Sequence, residues 1–118
     1  MRKRLLALGG GALVAAGLAV FWATPAGAGD EEVSIFGSGA GDQGYDPFRA
    51  VVVKNQRVHW TNDGSVDHTV TKTGGGFDSG LLDPGEDFQK TFKKVKKYRY
   101  HCSIHPDMDG KVVVKRPV

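Results

Sequence analysis

Near the end of the chain, Cys102, His105 and Met108 follow one another at three-residue intervals in Cys102-Ser103-Ile104-His105-Pro106-Asp107-Met108. Thiolate, imidazole and thioether in one short segment form a soft donor set that suits copper. A trigonal site of two histidines and one cysteine with a weak axial methionine is the arrangement used in blue-copper centres. The segment lacks only a second histidine, and His68 in Val66-Asp67-His68-Thr69-Val70 is the candidate. A cysteine and a histidine three residues apart are a weak signal alone, because zinc sites use the same pair.

The elements around this segment strengthen it. Tyr98-Arg99-Tyr100-His101-Cys102 alternates with a period of two, which puts Tyr98, Tyr100 and Cys102 on one face of a strand and Arg99 and His101 on the other. The cysteine is therefore expected to point into a core at a strand end. Lys111-Val112-Val113-Val114-Lys115 is a second, β-branched strand candidate. The donors then sit on a short connection between two strands, stiffened by Pro106.

From residue 51 to 114 the chain resembles the plastocyanin and amicyanin branch of the cupredoxins. The likeness runs through Val58-His59-Trp60-Thr61-Asn62, His68-Thr69-Val70, Phe77-Asp78-Ser79-Gly80-Leu81-Leu82-Asp83-Pro84-Gly85 and the stretch 98–114. Two residues on each side of His105 resemble amicyanin more than plastocyanin. The resemblance implies a Greek-key β-sandwich holding one type 1 copper, with His68, Cys102 and His105 as strong trigonal ligands and Met108 as the weak axial one. The chain departs from the family pattern at Asn55 and Lys96, where turn glycines are usual; Asn is the next residue best able to adopt positive φ.

Composition bounds the setting. Arg2-Lys3-Arg4, an apolar run over residues 5–23 and Ala26-Gly27-Ala28 read as a secretory signal cleaved after Ala28. The run approaches the length that spans a bilayer, so an uncleaved anchor is the alternative. Residues 29–118 make one small domain, expected outside the cytoplasm in a periplasmic or extracellular space. Cys102 is the only cysteine and can form no internal disulfide. Without Arg2, Lys3 and Arg4 the domain carries 13 basic and 13 acidic residues, so the overall charge of +3 is no argument for a nucleic-acid partner.

Within the domain, residues 33–36, 50–53, 57–62 and 66–71 and a segment near 88–92 read as strands, with Lys54-Asn55-Gln56 as a turn and Val58 and Trp60 inward. With the last two strands and no amphipathic helix, the expected class is an all-β sandwich. The Gly-rich stretch 37–44 reads as a flexible surface loop. His59 and His101 fall on outward faces and read as solvent-exposed. If Phe88 and Phe92 face inward, Lys90 between them does too, which suits a sheet edge where its stem can snorkel. The run from Lys90 to Arg99 reads as a solvated basic face distant from the donors. Leu81, Leu82, Pro84, Ile104 and Pro106 are candidates for an apolar patch near His105 on which redox partner proteins dock, the protein itself being a monomer; a membrane enters only if the leader is retained.

The function these features favour is a one-electron carrier cycling Cu(II) and Cu(I) through His68, Cys102, His105 and Met108. The alternative is an extracytoplasmic copper-binding protein for storage or delivery. An oxidase is disfavoured, because its additional coppers need more histidines than the four present.

Overall fold

The computed structural model describes residues 29–117. The expected leader, residues 1–28, lies outside the described residues. Among the described residues there are eight strands: β1 Glu31–Phe36, β2 Gly44–Asp46, β3 Arg49–Val53, β4 Arg57–Asn62, β5 Thr71–Lys72, β6 Asp87–Thr91, β7 Lys97–Cys102 and β8 His105–Lys115. They form two four-stranded sheets, in the orders β2-β1-β4-β6 and β3-β8-β7-β5. No helix occurs among the described residues.

The alternation of apolar side chains decides which face of each sheet turns inward. Val33 and Ile35 on β1, Val58 and Trp60 on β4, Ala50 and Val52 on β3, and Val112 and Val114 on β8 are all buried in one core. Trp60 is its centre, with ring centroids 5.5 Å from Tyr100, 5.6 Å from Phe88 and 6.3 Å from Phe92. The parallel pairs β1–β4 and β3–β8 mean that the turn after β3 carries the chain across to the other sheet instead of closing a hairpin. Asn55 takes φ 76° at that turn, in the role for which a glycine is usual. Lys90 lies on edge strand β6 with its ammonium 5.4 and 5.6 Å from the Phe77 and Phe92 ring centroids, so its stem covers the aromatic cluster.

One expectation fails. Residues 66–70 are not a strand: His68, Thr69 and Val70 are buried consecutively, and only an isolated bridge joins His68 to Leu82. Side chains take over the ladder's role, since the Asn62 amide donates to the Val66 and Leu82 carbonyls (2.9 and 2.8 Å) and Val70 N–H donates to Ser79 Oγ (2.8 Å). The Gly-rich stretch is a surface loop over residues 37–43, as expected, and carries its own hydrogen bonds. The Asp42 carboxylate accepts from Ser38 N–H, Ser38 Oγ and Ala40 N–H, and Ser65 N–H donates to the Gly37 carbonyl (3.1 Å).

His59 and His101 do lie on outer faces but are engaged. His101 Nδ1 meets Thr73 Oγ1 at 2.9 Å, and His59 sits between Glu32 on β1 (2.9 Å) and Asp87 on β6 (2.7 Å). A neutral imidazole can donate from only one nitrogen, so two carboxylates select the imidazolium. The bond to Asp87 is the main influence raising the His59 pKa above its ordinary 6.5. With the folded value above the unfolded one, this stabilisation is fully present below pH 6.5 and is lost as pH rises through the folded value. Urea unfolding of the metal-free domain is therefore expected to show Asp87→Asn less stable than the parent in mild acid, with the gap closing in alkali.

Gly110 on β8 makes room for the Tyr100 ring, because a Cβ there would lie 2.7–2.9 Å from three of its atoms. Overpacking of this kind costs about 1–3 kcal/mol. Gly110→Ala is expected to lower the unfolding free energy by that amount without removing any metal donor.

Candidate metal centre

One end of the sandwich gathers the chemistry. Cys102 closes β7 and His105 opens β8, with only Ser103 and Ile104 between them. The ladder then jumps: His101 pairs with Asp109 while Cys102 pairs with His105. Pro106, Asp107 and Met108 are left as an excursion on β8, which thus begins earlier than the expected 111–115. Met108 is buried and falls in step with the inward positions 110, 112 and 114. His68 arrives from the other side of the pole, on the connection that the Asn62 amide holds.

His68, Cys102 and His105 each offer a donor atom, and these atoms lie within 4.8 Å of one another. Cys102 Sγ is 3.5 Å from His105 Nδ1. Cys102 is fully buried and so is His68, whose pKa burial holds below its ordinary value, keeping the ring in the neutral form a metal requires. His68 Nε2 faces the Gly37 carbonyl at 3.5 Å, which favours the proton there and leaves Nδ1 as a lone pair. Nδ1 is buried with no hydrogen-bond partner. The other such atoms among the described residues, Trp60 Nε1 and Tyr100 Oη, belong to rings that pack 5.5 Å apart in the aromatic core. Burial pushes the Tyr100 hydroxyl up to about 12.

The two donor-bearing segments are tied directly to each other. Thr69 N–H donates to Cys102 Sγ (3.3 Å), a bond that favours the thiolate. Ser103 N–H donates to Thr69 Oγ1 (2.8 Å), and that hydroxyl also meets Thr71 Oγ1 at 2.8 Å. The buried Tyr45 hydroxyl bonds the Thr69 carbonyl, and burial raises its pKa strongly. The Gly-rich loop forms a roof: a Cβ on Gly39 would stand 3.3 Å from His105 Nε2, and one on Gly64 would stand 2.5 Å from the Gly37 carbonyl oxygen. The sequence reading missed Thr69 and this loop. Thr69 next to a candidate ligand was the available signal; glycine spacing alone could not say which backbone comes close to His105.

The model for copper-binding proteins of the plastocyanin/azurin family matches residues 33–115. The chain belongs to that family. Among solved structures this cupredoxin is similar to a purple cupredoxin from Nitrosopumilus maritimus, at 29% identity and a TM-score of 0.68, over 73% of this chain and all of the other. It is likewise similar to variants of amicyanin, one in the reduced Cu(I) form at pH 4 and another in the reduced state; each has 27% identity and a TM-score of 0.65 over 74% of this chain and 83% of the other. No curated protein matches the chain. Thiolate, two imidazoles and a thioether on a cupredoxin scaffold fit one type 1 copper, and the unpartnered His68 Nδ1 is the buried atom such an ion would satisfy.

Thr69→Val removes the acceptor of Ser103 N–H but leaves its own N–H on the sulfur. The metal-free protein is expected to lose about 1 kcal/mol in denaturant unfolding. Cu(II) dissociation should quicken, while the thiolate absorption band keeps its wavelength.

Proposed function

We propose that His68, Cys102, His105 and Met108 hold one copper ion and that the protein is a one-electron carrier working outside the cytoplasm. The observation that carries the reading is the meeting of His68, Cys102 and His105 at one buried point, with His68 Nδ1 left unpartnered. Copper supplies the Cu(II)/Cu(I) couple. The chain's own residues keep the change of oxidation state small in geometry: Thr69 N–H holds the sulfur, Ser103 is pinned to Thr69, and His68 is oriented by Gly37. Burial of Cys102, His68 and Met108 excludes water. This locked arrangement favours a carrier over a delivery protein, which must let its metal go. Family members are in general carriers and not enzymes, and His59 and His101, held by carboxylates and by Thr73, are not gathered with the other histidines.

The partner surface we assign is the same pole. Leu81 and Ile104 are 59% and 48% exposed, with Pro84 and Pro106 also exposed, whereas Leu82 belongs to the core. His105 is half-buried among them. The segments 37–43, 63–70, 78–86 and 103–107 contain no lysine or arginine but carry Asp42, Asp63, Asp67, Asp78, Asp83, Glu86 and Asp107. A side-chain hydrogen bond with Asp67, and after it the negative charge of Asp67, raise the Asp83 pKa. A monomer with such a pole suits a redox partner that presents a small apolar spot ringed by basic residues. The leader read at residues 1–28 supports export to a periplasmic or extracellular space.

Residues 29–118 with one equivalent of Cu(II) are expected to show an intense visible thiolate band and a reversible one-electron wave, both absent in Cys102→Ala. Met108→Leu should keep the band and raise the potential, because Cu(II) loses a donor. Fast copper transfer to a chelator with no reversible wave would instead favour storage or delivery.

A further inference from the structure

The pole opposite the donors is built from four pieces of chain. Asn55 N–H donates to the Phe92 carbonyl (2.7 Å) and Phe92 N–H to the Gln56 carbonyl (3.0 Å), joining the connection after β6 to the turn after β3. Lys54 N–H to Lys115 O (2.8 Å) and Val114 N–H to Lys96 O (2.9 Å) bring in the end of β8. Gln56 Nε2 donates to the Gly29 carbonyl (2.8 Å), so the described chain enters here. Along β7, Lys97 stands roughly 17 Å from Cys102 at about 3.3 Å per residue.

Charge at this end is mainly positive. Lys54, Lys93, Lys94, Lys96, Lys97 and Lys115 are all exposed, and the stretch 88–106 holds no aspartate or glutamate. Of the acidic run that opens β1 at this end, Asp30 is taken by Arg57 (2.8 Å) and Glu32 by His59 (2.9 Å), while Glu31 stands beside Val58. The loops of the donor pole are acidic and the lysines are densest at the opposite end, so a formally neutral domain carries a charge asymmetry along one axis. At the tip of the basic end Val95 is 45% exposed between two pairs of lysines. Beside it, Lys90, Thr91, Phe92, Lys93, Lys94 and Tyr98 line an open recess of about 290 Å³.

We propose that this basic end docks on an anionic lipid surface and so points the metal pole outward. Two features favour lipid over an acidic protein, and a third sets the orientation. The tip is led by an exposed apolar side chain flanked by flexible point charges, which suits a fluid array of phosphates and a shallow apolar boundary. The apolar run at 5–23 lies a few residues ahead of Gly29 in sequence and Gly29 is tied to this end, so a retained leader would be joined to the domain here. The carboxylates of the opposite pole are repelled by the same surface, which makes one orientation the favoured one.

Residues 29–118 are a fair test object, because 29–117 close both sheets and the core, and the similar purple cupredoxin is a whole chain of this extent. The metal-free domain is sedimented with vesicles of phosphatidylcholine alone and of phosphatidylcholine mixed equally with phosphatidylglycerol. Partition onto the mixed vesicles only, weakened by salt, is expected. Each lysine near an anionic surface contributes about fivefold, so replacing Lys93, Lys94, Lys96 and Lys97 by Gln should cost on the order of several hundredfold. Circular dichroism should show that variant still folded, and Asp67→Asn with Asp83→Asn should leave partition no weaker. Equal partition of parent and quadruple variant would overturn the proposal, as would no binding to the mixed vesicles. Absent vesicle binding with tight binding to soluble polyglutamate would assign the end to an acidic protein instead. None of these readouts depends on copper, so the proposal and the carrier reading fail separately.

Discussion

The sulfur of Cys102 accepts the backbone N–H of Thr69, and the backbone N–H of Ser103 returns to the hydroxyl of Thr69. Through these two bonds the segment bearing His68 and the hairpin bearing Cys102 and His105 hold each other in place. An isolated loop of three donors would have to be ordered by the metal at an entropic cost; here the protein's own hydrogen bonds order it beforehand. The same bonds explain why residues 66–70 give up strand structure. A regular ladder would consume the N–H that the sulfur needs and would alternate His68, Thr69 and Val70 between faces, whereas all three are buried.

That constraint spreads outward. Asn62 must bond the carbonyls of Val66 and Leu82 to replace the missing ladder, and it is itself fully buried at the end of β4. The Gly37 carbonyl sets the His68 ring, and it can approach only because Gly64 lacks a side chain. Gly39, at φ +85° beside His105, combines both reasons for glycine: a left-handed backbone and a close neighbour. The Gly-rich segment is thus part of the site although it brings no side-chain chemistry.

The core supports this pole from below. Trp60 and the aromatic residues about it fill the space between sheets, and Gly110 opposite Tyr100 shows how closely that space is filled. Acidic loops at the donor pole and a dense run of lysines at the opposite end give a formally neutral protein a direction.

Much of this was legible in the sequence, because it rests on local periods. Alternation in 98–102 put Cys102 inward, the run at 57–62 put Trp60 in the core, and Asn55 at a turn took positive φ, as its side chain allows. The three-residue spacing of Cys102, His105 and Met108 specified a soft donor set before any fold was known. What only the tertiary structure decided are relations between residues distant in sequence. That a His68 nitrogen lies within 4.8 Å of the thiol, that Thr69 is the residue on the sulfur, and that the Gly-rich segment roofs His105 follow from how two sheets stack. His59 looked idle for the same reason: its partners Glu32 and Asp87 lie on neighbouring strands, and strand order is not a local property. A period reports which way a side chain points; only packing reports what it meets there.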